Sequence, residues 1–325
     1  MTATTQVTTG SAAPSPETPP RPARGRGDWV QRITGGAHPA LFLFTVPALA
    51  LTIIFFLIPT LEGFRFAVTD WNGYSAAYSN VGAGNFTRIL SNGDDLFRNA
   101  LFNNVKLMIF VVIAQTALSL MFAILLVRNS KSSIALRALF FFPTILASVS
   151  VAFAWRFMYD PNYGLINDAL GHVGLSSLKS SFLGSSTFGI LFVGITQVWA
   201  HTGQVMVIYI AGLQQIPDEL YEAATVDGAT RWQKFKSVTW PMAAPATAIV
   251  IAYTTIQSFK AFDLILGLSG NPPQSNVDIL STRIYAGFAN SKFGYAAAES
   301  ILFMALIIAV TLVQRRAARL TQAQA

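Results

Sequence analysis

The 325 residues are 53% apolar and only 11% charged, with a mean hydropathy of +0.48, a balance that suits a lipid bilayer rather than water. No cysteine is present, which excludes disulfides, thiol catalysis and thiolate metal sites. The net charge of +7 follows membrane topology, because the cations collect in alternate connections, and it calls for no nucleic-acid partner.

Residues 1–36 are rich in Thr, Ala, Pro, Ser and Gly and end in a basic stretch around Arg24 and Arg26. They show no apolar periodicity, which predicts a disordered cytoplasmic tail. The features of a cleaved signal peptide are missing, so the first apolar span is expected to be retained. Six apolar runs near the roughly 20 residues needed to cross a bilayer follow. They are Ala40–Thr60, Leu107–Val127, Ala138–Trp155, Phe188–Leu213, Pro245–Leu268 and Ala297–Val313. The expected architecture is an all-α integral membrane protein with six transmembrane helices over residues 37–318 and a short tail at 319–325. Pro47 and Pro59 predict a kink and a stop in the first span. Lys and Arg are denser before that span, at Arg128–Arg137, at Arg231–Lys236 and at Arg315–Arg319 than in the intervening connections. Both termini are therefore expected in the cytoplasm.

The first outer connection contains Asp70-Trp71-Asn72-Gly73, a turn sequence, and Gly84-Asn85-Phe86. The third span ends in Trp155-Arg156-Phe157-Met158-Tyr159, the composition of an interfacial aromatic belt. Between the fourth and fifth spans lies a polar segment, residues 214–241, that reads as two short helices. Pro217 suits a helix start, and Asp218 and Glu219 place negative charge at the positive end of the macrodipole. Asp227-Gly228 supplies the break, and a basic stretch with Arg231, Lys234 and Lys236 leads to Pro241. A helix–turn–helix outside the bilayer is a docking element.

The motif Glu222-Ala223-Ala224, then Asp227-Gly228, then Val238 and Pro241 resembles the signature cytoplasmic loop of the membrane subunits of binding-protein-dependent ABC importers. Val238 stands in the usual Ile place, and Trp240 where Leu is common. The stretch from Pro161 to Asn167 is similar to its counterpart in sugar and glycerol-phosphate permeases. Gly270-Asn271-Pro272 departs from the Gly-Gly-Pro often found there. The resemblance covers about residues 40–318 and implies the type I importer permease fold. It implies that the loop seats in a groove of an ATP-hydrolysing subunit, with Glu222 meeting a basic residue there. The implied partners are a second, homologous permease, two ATP-binding subunits and an extracytoplasmic sugar-binding protein. The implied location is the bacterial plasma membrane.

Polar side chains within spans are costly and face a cavity or another helix. Gln197, His201 and Gln204 share one face of the fourth span, and Thr254, Gln257 and Ser258 share one face of the fifth. Facing each other, these stripes offer amide, hydroxyl and imidazole groups to a polyhydroxylated neutral solute. Trp199, Tyr253, Phe259 and Phe262 are candidates to stack on a sugar ring. The same residues also suit helix-to-helix hydrogen bonding, and both uses stay open. Lys260 and Asp263, three apart, are expected to pair on one helix face. No Gly-rich phosphate loop, His-Glu-x-x-His motif or nucleophile elbow occurs, so no cofactor or catalytic residue is expected and ATP hydrolysis falls to a partner. The expected function is the permease subunit of an ATP-driven sugar or oligosaccharide importer. The alternatives are a permease for glycerol phosphate or another polar solute, and a stand-alone ion-coupled carrier using Asp263 or Glu299.

Overall fold

The structure, a computed structural model, describes residues 43–91 and 94–322. The expected disordered tail, residues 1–36, and residues 323–325 lie outside the described residues. The chain divides into two compact units between Thr60 and Leu61. Among the described residues the regular elements are helical, and an isolated bridge joins Thr69 and Asn80.

Helix α1 (Leu43–Phe66) is long and apolar enough to cross a bilayer. Pro59 has no amide to bond the Phe55 carbonyl, and a π-turn over Ile53–Leu57 lies just ahead of it. The wider turn absorbs the missing bond, so the expected stop at Pro59 is corrected to a local widening. In the connection that follows, Asp70 accepts hydrogen bonds from the Ser79 amide (2.7 Å) and hydroxyl (2.6 Å). The Asn85 amide donates to the Ala67 and Thr69 carbonyls. Both sequence motifs here fasten the loop to itself, ahead of and within α2 (Gly84–Leu90).

Helix α3 (Asp95–Leu126) opens on an Asp94 cap that accepts the Phe97 amide at 2.9 Å. At its far end Arg137 donates to the Leu126 and Val127 carbonyls, a cation on the negative end of the dipole. Arg137 belongs to α4 (Lys131–Ile145), which meets α5 (Ser148–Met158) at a 96° bend. The span expected over Ala138–Trp155 is therefore a broken pair. Pro143 sits inside α4, and the chain turns three residues later, where Leu146 and Ala147 are both extended.

After the short outer helix α6 (Leu165–His172), α7 (Gly189–Leu213) runs through the centre of the second unit. Its buried face packs on α3 through Leu107, Val111 and Val193 at one level and Leu120, Ala123, Met206 and Tyr209 at another. Gly203 touches α4 so closely that a Cβ there would lie 2.0 Å from the Phe140 carbonyl oxygen. Only a small residue permits this approach, and close backbone packing is how membrane helices gain contact energy. Beside it Thr144 donates to the Ala200 carbonyl at 2.8 Å, and Ser119 to the Thr202 carbonyl at 3.1 Å.

The polar segment forms α8 (Asp218–Val226) and α9 (Arg231–Met242), which meets α10 (Ala244–Phe259) at a 64° bend. The expected fifth span does not continue to Leu268. Lys260 ends α10, and α11 (Phe262–Ser269) packs on α5 instead, with Leu264 and Ile265 in one buried cluster with Val151 and Ala152. Helices α12 (Leu280–Ala289) and α13 (Phe293–Gln322) complete the chain. With α1, α3, α7 and α13 as single spans and the two bent pairs counted as one each, six crossings result.

Candidate functional site

A cavity of about 310 Å³ opens where α7, α10, α11 and the α4–α5 bend meet. That volume is at the small end of ligand pockets, about 300–1,000 Å³. Gln197, His201 and Gln257 line it, so the two sequence stripes do face one another. The Gln197 amide donates to the Gln257 carbonyl at 3.1 Å, while its own side-chain oxygen is buried and has no protein partner. Gln115 from α3 donates to the Gln257 side-chain oxygen at 3.4 Å. His201 Nδ1 lies 3.0 Å from the Gln197 carbonyl. A carbonyl only accepts, so Nδ1 carries the proton in that bond and Nε2 is left for another partner. Tyr253 adds a hydroxyl 3.5 Å from the Gln257 amide nitrogen.

The other predicted residues fall elsewhere. Thr254 and Ser258 are fully buried and donate to the Val250 and Thr255 carbonyls of their own helix. Gln204 stands beside the Tyr253 hydroxyl, one turn beyond the cavity lining. Of the four aromatic candidates only Tyr253 lines the cavity. Trp199 is two residues from Gln197 and so about 200° around the helix, where it meets Trp155 at 5.5 Å. Phe259 packs on Phe303, and Phe262 on Tyr285.

Lys260 and Asp263 were not expected in the lining, and both are there. The break after Phe259 takes them off a common helix face, and they form no ion pair with each other. Two charges inside an apolar run were the sequence signal, since such residues mark pathways more often than packing.

The docking segment has the expected helix–turn–helix form. Helix α8 starts after Pro217 with Asp218 and Glu219 in its first turn. Gly228 turns the chain at φ +75°, and no atom lies within 4 Å of where its Cβ would be. Thr230 and Gln233 form a reciprocal capping box that starts α9. Two bonds hold the helices together: Lys234 Nζ to Thr225 Oγ1 at 2.7 Å, and the Tyr221 and Thr239 hydroxyls at 3.1 Å. Glu222, Ala223 and Asp227 are exposed, Ala224 and Pro241 half-buried. Val226 is 87% exposed, so α8 presents an apolar tip with no cover among the described residues.

Residues 115–322 match the family model described as binding-protein-dependent transport system inner membrane component. The chain belongs to this family. It is thus a multi-pass membrane component of a transport system. It is 32% identical over 273 residues to a probable ABC transporter permease protein of Pyrococcus horikoshii, covering 83% of this chain and 93% of the relative. It is 31% identical over 312 residues to the diacetylchitobiose uptake system permease protein NgcF of Streptomyces coelicolor, covering 92% of this chain and 86% of that one. The fold matches a chain of a bacterial alginate ABC transporter solved in complex with an alginate pentasaccharide-bound periplasmic protein. The TM-score is 0.75 at 22% identity, over 91% of this chain and 98% of that one.

Proposed function

We propose that this family member is the permease subunit of an ATP-driven importer that receives a sugar or oligosaccharide from an extracytoplasmic binding protein and releases it into the bacterial cytoplasm. The observation that carries the reading is that α7 and α10, the helices flanking the exposed docking segment, are also the helices that line the polar cavity. Energy delivered to α8 has a short mechanical route to the site. The relatives named for diacetylchitobiose uptake and the transporter solved with an alginate pentasaccharide support a saccharide cargo. So do the amide, imidazole and phenol groups of the lining, which match hydroxyls as donor and acceptor.

In this reading Glu222, Ala223, Ala224, Asp227, Gly228 and Pro241 form the coupling element for one of two ATP-binding subunits. A second, homologous permease completes the pathway. Closure of the ATP-binding subunits displaces α8, and α7 and α10 carry the movement to Gln197, His201 and Gln257. The test is uptake of labelled oligosaccharides in vesicles holding this chain with its neighbouring permease, ATPase and binding protein. Native complex should require all components and ATP. Gly228→Asp should assemble poorly or hydrolyse ATP without transport. Solute movement by this chain alone, driven by an ion gradient, would sink the reading.

A further inference from the structure

Helix α9 carries three aromatic rings that form one surface. Trp232 stacks on Phe235 with centroids 5.3 Å apart and planes 27° apart, and Phe235 meets Trp240 at 6.3 Å. Eight residues of α-helix would set the two indoles about 80° apart. The π-turn over Phe235–Thr239 rotates less per residue and brings Trp240 back toward the side of Trp232. Trp232 is 69% exposed and Trp240 52%. Arg231 and Lys236 beside them are exposed and make no hydrogen bond or ion pair among the described residues. Lys234, in contrast, is engaged by Thr225.

A contiguous exposed aromatic surface rimmed by cations marks an interaction site, and its setting says what covers it. Helix α9 is the polar, basic end of the bent α9–α10 pair that counts as one crossing, set at 64° to α10, and an end of that composition belongs where hydrocarbon gives way to water. At that depth an indole places its ring among acyl chains and its N–H among headgroups, while Arg and Lys reach the phosphates. We propose that α9 is an interfacial anchor: its Trp232–Phe235–Trp240 face enters the headgroup layer, and Arg231 and Lys236 bind the phosphates of anionic phospholipid. The anchor requires only that the chain crosses a bilayer and does not rest on the docking role of α8. It divides the polar segment into a half fixed to lipid and a half free to meet a protein.

The experiment uses the full-length chain in nanodiscs of phosphatidylcholine, with or without phosphatidylglycerol, whose acyl chains are brominated near the headgroup. Tryptophan quenching in the native chain is expected to exceed that in Trp232→Phe/Trp240→Phe, which keeps aromatic volume and so the fold. Retention of phosphatidylglycerol should fall by about fivefold for each of Arg231→Gln and Lys236→Gln. Excess inorganic phosphate should leave both readouts unchanged; displacement of the lipid by free phosphate overturns the lipid assignment. Equal quenching in native and double-Phe chains overturns it too. So does access of aqueous iodide to both indoles that disappears only when the ATPase subunit is added, which gives the face to that partner.

Discussion

Two glycines do different work, and a methyl group distinguishes them. At Gly203 the added carbon would lie 2.0 Å from the Phe140 carbonyl oxygen, against backbone that cannot swing aside. Gly203→Ala is expected to destabilise the protein by about 1–3 kcal/mol as α4 is forced off α7. At Gly228 there is room for the carbon but the φ of +75° is unfavourable for it, so Gly228→Ala should cost only about 1 kcal/mol. Thermal unfolding in detergent of the two variants side by side checks the ranking. Two carboxyls outside the spans set opposite pH trends. Burial pushes Asp278 up, against the Thr282 hydroxyl and Arg283. Its contribution is therefore full below the usual carboxylate value and is lost as pH rises through the raised one. Burial also works against Asp94, but bonds from Tyr295 and the Phe97 amide, with Arg283 nearby, hold it below its usual value. Its contribution is present at neutral pH and is lost in acid. Asp278→Asn should remove the decline on raising pH, and Asp94→Asn should lose stability at neutral pH while converging with the native chain in acid. Unfolding midpoints taken from pH 3 to 8 would show either trend or neither.

At the scale of elements, the sequence announces starts and stops made by Pro, Gly and caps, and hides breaks made by packing. Pro217, Asp227-Gly228 and the charges of the first turn placed α8 within a residue of where it lies. Nothing in Leu146-Ala147 or Lys260-Ala261 warns of a turn, since neither pair contains Gly or Pro; α5 and α11 leave their lines to pack on each other. The site suffered accordingly. Gln197, His201 and Gln257 were legible from helical spacing, whereas Thr254 and Ser258 satisfy their own helix and Lys260 and Asp263 reach the cavity only because α10 ends. This yields a test of specificity. If the cargo passes these charges, Lys260→Met and Asp263→Asn should each raise the KM for uptake by about tenfold, the effect of losing a charge-assisted hydrogen bond of about 1.5 kcal/mol. ATP hydrolysis stimulated by binding protein should persist. Unchanged KM in both would confine cargo contacts to the neutral groups.

For the whole molecule, membrane class followed from composition, and the six expected spans agree with the helices when each bent pair counts as one, because the bilayer imposes length and apolarity on each crossing. Orientation can be read directly, because the chain has no cysteine to interfere. Tyr163 is 82% exposed between α5 and α6, and Val226 tips α8 on what the cation distribution makes the opposite side. A membrane-impermeant maleimide on intact cells should label Tyr163→Cys and reach Val226→Cys only after permeabilisation. Labelling in the reverse pattern would invert the topology. The bend between α4 and α5 has a mechanical meaning beyond its geometry. Gly203 and Thr144 rivet α4 to α7, while α5 is bedded against α11. Leu146 and Ala147 thus join the helix held to α7 to the one bedded on α11, and because Pro143, Leu146 and Ser148 form one wall of the cavity, the joint between the two helices and the wall of the chamber are the same piece of chain.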